Sequence, residues 1–413
     1  MEQMLKHLRA LDLTDEKGFL CGKILADLGV NVIKVERPGG DFTRNTGGFY
    51  GNKPDTAKSL NWFAYNSNKK GITLDFEQPE GCEIFKKLAA KTDFIIESFT
   101  PGYMDELGIG YKDLSKLYPK LIWASITPFG PQEPYRSYKA PDIVVMGMSG
   151  TLYQNGETDG PPVHISMPQA AMHAGADAAV GCMMAYHHRE QTGEGQFIDI
   201  SMQQSAGWFQ ANAVPLYELQ GAIMKRSGAF RAGTSSQATQ RQVWKCKDSY
   251  VFFNVIGGRT GAKTLSALVA WMDEEKMATD HLLHMDWDNF DMFSITQEEM
   301  DRISAPIEAF FQQHTSKELL KGAIPRGVSI GPLSSMKDLL EDECLNSRGF
   351  WTEVKHPELN TKITYPKTYV RSTEADMSIH FRAPTVGEHN KEVYKEIGIH
   401  GGELDRLKRE GVV

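Results

Sequence analysis

The chain is predicted to be an α/β protein, with a doubly wound, mostly parallel sheet and a smaller mixed α/β region. Two observations predict this. Runs rich in β-branched residues recur through the first third of the chain and alternate with helical patterns. Such alternation forces crossover connections, and those give parallel strands. After Gly221 the alternation stops and a stretch of different character begins.

Each element follows from its local pattern. Leu8–Leu13 reads as the first strand. Gly18–Leu28 has helical spacing, with Leu20, Ile24, Leu25 and Leu28 on one face, and Gly29 ends it. Val30–Glu36 is the second strand and Gly71–Phe76 the third. Pro79–Ala90 is a helix with proline at its first position, where a missing N–H costs nothing. Asp93–Phe99 and Leu121–Ile126 are the fourth and fifth strands. Ala170–Tyr186, rich in Ala, Met and Gly, reads as a buried helix in which Gly175 and Gly181 permit close backbone contact. Arg226–Gln242 is polar and aperiodic, a linker or surface arm. Gln242–Cys246 and Tyr250–Val255 form a hairpin, and helices run through Leu265–Met272 and Glu298–Gln313. The chain is expected to return to the first domain near Gly327–Pro332. Pro357–Thr373 is strand-like, and an amphipathic helix closes the chain. The domain expectation is 1–220 for the first part of the large domain, 221–335 for linker and small domain, and 336–413 for the return.

Bulk properties exclude several classes. At 413 residues the chain can hold two domains, and its net charge of −8 argues against a general nucleic-acid binder. No apolar run approaches the roughly 18 residues of a membrane span. The segment Met1–His7 lacks the apolar stretch of a secretory leader. The five cysteines, Cys21, Cys82, Cys182, Cys246 and Cys344, are scattered without a C-x-x-C pair. That argues against a metal site and suits a reducing compartment. A cytoplasmic protein with no metal and no covalently bound cofactor is expected.

An ordered set of motifs carries a family resemblance. It runs from Leu8–Thr14 and Val32–Gly39, through Asn66-Ser-Asn-Lys-Lys70 and Glu97-Ser-Phe-Thr-Pro-Gly102, to Ser125–Gly130. It continues with Met167–Gly181, Thr192-Gly-Glu-Gly-Gln196, Arg348-Gly-Phe350 and Ala383–Asn390. Together these resemble the family III CoA-transferases, the formyl-CoA and carnitine CoA-transferase group. The resemblance implies a Rossmann-like large domain from both chain ends, a small domain from the middle, and an interlocked dimer. It also implies a nucleophilic Asp four residues before the first Gly of the central helix. Here that Gly is Gly175, and the position holds Ala171.

A methyl group cannot attack a thioester, so no catalytic residue is assigned at Ala171. Neighbours do not replace it. Asp177 lies about 240° round an ideal helix and roughly 9 Å along it, and reads as a polar interface contact. His173 reads as a satisfied core or interface histidine, Gln169 as a surface residue, and His187 and His188 as surface or interface residues. Gly257–Gly258 fits either a glycine-rich active-site loop or a plain turn. For CoA contact the resemblance leaves Arg37, Lys69, Lys70 and Phe99. The three cations read equally as phosphate contacts or as solvated surface charges. Thr100 and Glu106 depart from the small or basic residues that active relatives place there, and Glu106 would repel phosphates. The expectation is a non-catalytic subunit of a heteromeric CoA-transferase. A homologous Asp-bearing subunit would be its partner, acyl-CoA and carboxylic acid its substrates, with CoA as substrate bound either here too or in the partner subunit only. A standalone acyl-CoA racemase, isomerase or lyase, or a structural binder of the same fold, stays open.

Overall fold

In a computed structural model of the chain, residues 3–232, 238–292, 294–367 and 369–413 are described. Six strands form one sheet: β1 (Arg9–Leu13), β2 (Asn31–Glu36), β3 (Lys70–Thr73), β4 (Phe94–Glu97), β5 (Ile122–Thr127) and β6 (Phe197–Ser201). Their order is β3-β2-β1-β4-β5-β6 and every pairing is parallel. This is the doubly wound arrangement, with the order reversing between β1 and β4. Ile33, Ile72, Ile95, Ile96 and Ile126 are fully buried. Strands covered on both faces need such apolar residues at successive positions, which made β1 to β5 readable. The sixth strand was not foreseen. It is an edge strand that begins with Phe197, 41% exposed, and its burial is confined to its last two residues.

Helices against this sheet differ in detail from the expectation. The Phe19–Asp27 helix is buried round most of its circumference, through Cys21, Gly22, Leu25 and Ala26 and the Lys23–Asp27 ion pair. Leu20 and Ile24 of the expected face are only half-buried. The cause is a second helix, Gln169–Thr192, packed against it. A Cβ on Gly175 would stand 2.9 Å from the Leu20 Cβ and 3.2 Å from the Cys21 nitrogen, so the two backbones approach as closely as glycine allows. That second helix is longer than expected and buried on one side only. Ala170, Ala174, Ala178, Cys182 and Ala185 face inward, while Asp177, Val180 and Met184 are exposed.

The C-terminal motif Ala383–Asn390 has a structural role: it covers the edge strand β3. Backbone N–H groups of Gly71 and Thr73 donate to His389 Nδ1 (3.1 Å) and Asn390 Oδ1 (2.9 Å). The Pro384 carbonyl accepts from Trp62 Nε1 and from Arg44, both at 3.0 Å. An exposed edge is a template for unwanted pairing, and this segment closes it. Asn68 works similarly from an uncommon positive φ of 62°. Its amide donates to Asp27 and to the Ser378 carbonyl and accepts from the His380 N–H, fixing the 378–380 segment to the Phe19–Asp27 helix.

The chain divides into two compact units. The first comprises Met1–Ser149, Ile165–Phe209 and Glu343–Val413; the second comprises Gly150–His164 and Gln210–Asp342. The return therefore begins at Glu343. Gly327–Pro332, where it was expected, instead supplies a strand of the second unit. That unit holds β7 (Phe230–Ala232) paired with β8 (Thr239–Arg241). It also holds a three-stranded antiparallel sheet of β9 (Val243–Lys245), β10 (Tyr250–Phe253) and β11 (Ile330–Pro332). Of the expected linker 226–242, residues 233–237 lie outside the described residues. The core of the second unit is aromatic: Trp244 meets Phe311 edge-on at 5.7 Å and its indole donates to the Phe253 carbonyl at 2.8 Å. In the first unit the strand-like segment Pro357–Thr373 holds β13 (Thr361–Pro366), which pairs antiparallel with β12 (Trp351–His356), a strand that precedes the expected segment. Among the described residues no helix is long and apolar enough to cross a membrane.

Candidate functional site

Parallel strands deliver their carboxyl ends to one side of the sheet, and there a cavity of 410 Å³ opens beyond β1. Its wall is largely apolar, including Phe19, Leu20, Phe42, Tyr65 and Met202. Ala171 lines it from the first turn of the Gln169–Thr192 helix and is 5% exposed. The Ala171 N–H donates to Asp142 Oδ1 at 3.1 Å. Asp142 heads its own short helix, Asp142–Met148, and satisfies one of the free N–H groups at the start of the other. Asp142 therefore holds a carboxylate beside the one residue where the resemblance looks for one.

The loop after β1 supplies the remaining charges. Asp15 accepts from Ser98 Oγ at 2.9 Å, and the Asp15 N–H donates back to that hydroxyl at 2.9 Å, which joins the ends of β1 and β4. Lys17 is paired with Asp15. Burial, together with the neighbouring Asp15, raises the Glu16 carboxyl above its ordinary range. Beneath the loop lies a buried ion network. Asp12 accepts from Lys69 Nζ (2.7 Å), Thr14 Oγ1 (2.6 Å) and the Thr14 N–H (3.0 Å), with Lys34 Nζ at 3.8 Å. Burial pushes the Asp12 carboxyl up, but Lys69 and Lys34 outweigh it and hold it below its usual value. Burial lowers the Lys69 ammonium, with Asp12 opposing. A Cβ on Gly22 would lie 2.2 Å from Asp12 Oδ2, so the helix can pass over this network only with glycine there.

The four residues expected to contact CoA are separated by the fold. Arg37 and Phe99 come together. Arg37 follows β2 and Phe99 follows β4, at the carboxyl ends of both strands. Tyr103 links them, its hydroxyl 3.4 Å from Arg37 and its ring 4.9 Å from that of Phe99. Arg37 stays exposed and pairs with Glu77 at 2.7 Å. Lys69 does not fit the expectation. Its side chain is fully buried, and its three N–H groups are spent on Asp12, the Phe19 carbonyl and Asn66. A cation with no exposed donor cannot grip a phosphate, so Lys69 is a structural residue. Lys70 opens β3 and so sits at the amino end of the sheet, away from Arg37 and Phe99. It pairs with Glu392 at 2.6 Å and lines a different cavity, with Arg382 and His389.

Other residues fall as follows. His173 packs edge-on against Phe209 at 4.3 Å, and Glu106 is exposed and does not line the Ala171 cavity. Gly257 caps the Gly258–Glu274 helix, where a Cβ would approach the Phe290 carbonyl to 2.5 Å. It is thus a sterically required helix entry. Among the described residues no three His, Cys, Asp or Glu side chains gather to hold a metal. Asp142 and Lys17 escaped the sequence reading. Proline followed by Asp before an apolar run does signal a helix start, which could have found Asp142. Nothing local signals that it reaches residue 171.

Comparison with known proteins agrees with this geometry. The sequence pattern described as CoA-transferase family III matches residues 5–390. The chain is 31% identical over 414 residues to the succinyl-CoA:(R)-benzylsuccinate CoA-transferase subunit BbsE of Thauera aromatica, covering 100% of this chain and 99% of that one. It is 30% identical to the succinyl-CoA:glutarate CoA-transferase of Mus musculus, covering 99% and 90%. Among solved structures, a CAIB/BAIF family protein from Brucella suis superposes with a TM-score of 0.78 at 27% identity, covering 96% and 100%. With a family pattern that runs through both units and a relative that aligns from end to end, the chain belongs to CoA-transferase family III.

Proposed function

We propose that this chain is the non-catalytic subunit of a heteromeric CoA-transferase. The complex would move CoA from an acyl-CoA such as succinyl-CoA to a carboxylic acid such as (R)-benzylsuccinate, and a homologous partner would supply the nucleophilic Asp. One observation carries the reading: residue 171 opens into the cavity at the carboxyl ends of the strands, and it is alanine. The full-length similarity to a protein named as a subunit supports it. In the family's chemistry an Asp carboxylate attacks the thioester and expels CoA thiolate, leaving a mixed anhydride. The thiolate then attacks the enzyme carbonyl, releasing the donor acid and leaving an aspartyl-CoA thioester. The acceptor acid reverses these steps and leaves with CoA. Splitting one hard transfer in this way is covalent catalysis, and it cannot start from a methyl group. Arg37 and Phe99 are the CoA contacts we retain. A cytoplasmic location in an organism that degrades aromatic compounds anaerobically is part of the proposal, supported by five unbonded cysteines and by the similarity to BbsE.

The test is coexpression with an Asp-bearing homologue from the same host. Transferase activity that needs both chains supports the proposal; full activity of this chain alone contradicts it. Asp142 and Glu16 in the cavity favour one alternative, acid–base chemistry on an acyl-CoA by this chain alone, as in a racemase, isomerase or lyase. That reading requires this chain to exchange an α-proton of an acyl-CoA with deuterium from solvent.

A further inference from the structure

Glu97 is a buried carboxyl that the transferase chemistry leaves unused. It ends β4 and is 7% exposed. Its Oε2 accepts from the Phe99 N–H at 2.7 Å. The Ser125 and Trp123 side chains of the neighbouring β5 also donate to it, and Ser125 is its partner in the strand register. These donors fix the start of the turn that follows β4. The turn closes where the Tyr103 N–H donates to the Thr100 carbonyl at 3.1 Å. Gly102, at a φ of 95°, then lets the chain enter the short helix Tyr103–Glu106. The Phe99 ring is held against Phe76 at 5.8 Å and Tyr103 at 4.9 Å, and the Tyr103 hydroxyl lies 3.4 Å from Arg37. A shift of the Glu97 carboxyl therefore reaches both residues retained as CoA contacts. Among the described residues Glu97 forms no ion pair; Lys17, which acts on it weakly, is paired with Asp15 on the loop after β1. Beyond the turn Arg37 is paired with Glu77, and Asp105 with Lys112. Asp199, beside Ser125 in the β5–β6 register, is raised by burial. Burial, with Glu77, pushes the Tyr103 phenol up to about 12, so it stays neutral near pH 7.

We propose that Glu97 is a positioning residue for CoA: it sets the turn that carries Phe99, and it does so as the neutral acid, so that CoA binding takes up a proton there. The proposal rests on the reading of Arg37 and Phe99 as CoA contacts, and adds to it a residue that does not touch the ligand. The acid form loses no hydrogen bond. Its carbonyl oxygen accepts from the Phe99 N–H and its hydroxyl donates to Ser125, whose own hydroxyl can turn to accept. The carboxylate form instead places an uncompensated buried charge beneath the turn that an anionic ligand must approach. Burial pushes the Glu97 carboxyl up to about 7, so both forms are populated near neutral pH. The sign follows from linkage. A ligand that prefers the acid raises this carboxyl further, so its affinity is complete at low pH and falls as pH rises through about 7.

The test titrates the full chain with 3′-dephospho-CoA, whose diphosphate keeps one charge state across the neutral range, in buffers of low and high ionisation enthalpy. Wild-type affinity should be about fivefold lower at about pH 8.5 than at about pH 6, with uptake of part of a proton at the higher pH. Glu97→Gln is neutral throughout and keeps an oxygen for the Phe99 N–H. It should hold the low-pH affinity at both values and take up no proton. Glu97→Ala strands that N–H and should bind about tenfold more weakly at both. Arg37→Ala should weaken binding at both and keep the pH dependence. Three results would overturn this proposal alone, given binding that depends on Arg37. They are a wild-type affinity without pH dependence, a Glu97→Gln variant that follows the wild-type pH curve, and Glu97→Ala binding as tightly as Glu97→Gln. No binding at all, or binding indifferent to Arg37→Ala, would overturn the reading of the CoA contacts and this proposal with it.

Discussion

Replacing Ala171 by Asp restores the family's carboxylate but sets it against Asp142. The Ala171 N–H already donates to Asp142 Oδ1 at 3.1 Å, in a position only 5% exposed. A second carboxylate on residue 171 would then stand about 4 Å from the first, which costs about 4 kcal/mol at an effective dielectric of 20. The positive end of the Gln169–Thr192 helix returns about 0.3–1 kcal/mol. Ala171→Asp is therefore expected to lose about 3 kcal/mol of stability at neutral pH, by this balance of charges. The loss should shrink as pH falls and one of the pair takes up a proton. Adding Asp142→Asn should remove most of it, a coupling that a double-mutant cycle in urea denaturation measures directly. The single variant should also trap no covalent CoA adduct as a homomer. Wild-type stability of Ala171→Asp, together with full transferase activity, would refute the reasoning. The cavity would then have been arranged for a carboxylate all along.

Three further outcomes follow from other parts of the molecule. Burial raises the Glu97 carboxyl from 4.5 to about 7. The stability this proton contributes is complete below pH about 4.5 and is lost as pH rises through 7. Glu97→Gln should abolish that dependence and leave the variant up to roughly 3 kcal/mol more stable at pH 8; equal pH slopes in denaturant titrations would contradict it. Gly22→Ala forces a methyl to within 2.2 Å of Asp12 Oδ2. It should break the Asp12–Lys69 pair at a cost of roughly 3–5 kcal/mol, seen as a large fall in melting temperature or as failure to fold. Finally, this chain and its proposed partner, expressed apart and mixed, should not regain the activity of the coexpressed pair, because interlocked chains need partial unfolding to thread. Rapid recovery on simple mixing would count against the interlocked arrangement.

The sequence showed the sheet more clearly than the charges. β1 to β5 were readable because burial on both faces demands apolar residues at successive positions. β6 was not, because an edge strand with Phe197 and Asp199 on its open half has no such pattern. The Phe19–Asp27 helix was placed correctly but given the wrong deep face, since the Gly175 contact that buries Cys21 comes from a helix far along the chain. Lys69 and Lys70 are adjacent and chemically alike, yet one is sealed beside Asp12 and the other opens β3 next to Glu392. Only tertiary partners separate them. Ala171 could be found by its spacing from Gly175. Asp142 could be read as a helix start, but its contact with residue 171 could not, because the hydrogen bond to the Ala171 N–H spans a loop that carries no periodic signal.

The central claim is that the covalent step occurs on the partner. The most direct measurement incubates the coexpressed complex with succinyl-CoA, traps enzyme-bound acyl groups with hydroxylamine or borohydride, and maps modified carboxyls on both chains by mass spectrometry. The account predicts modification of one Asp on the Asp-bearing partner and none on this chain. A trapped carboxyl here, at Asp142 above all, would contradict it and make this chain a catalyst in its own right.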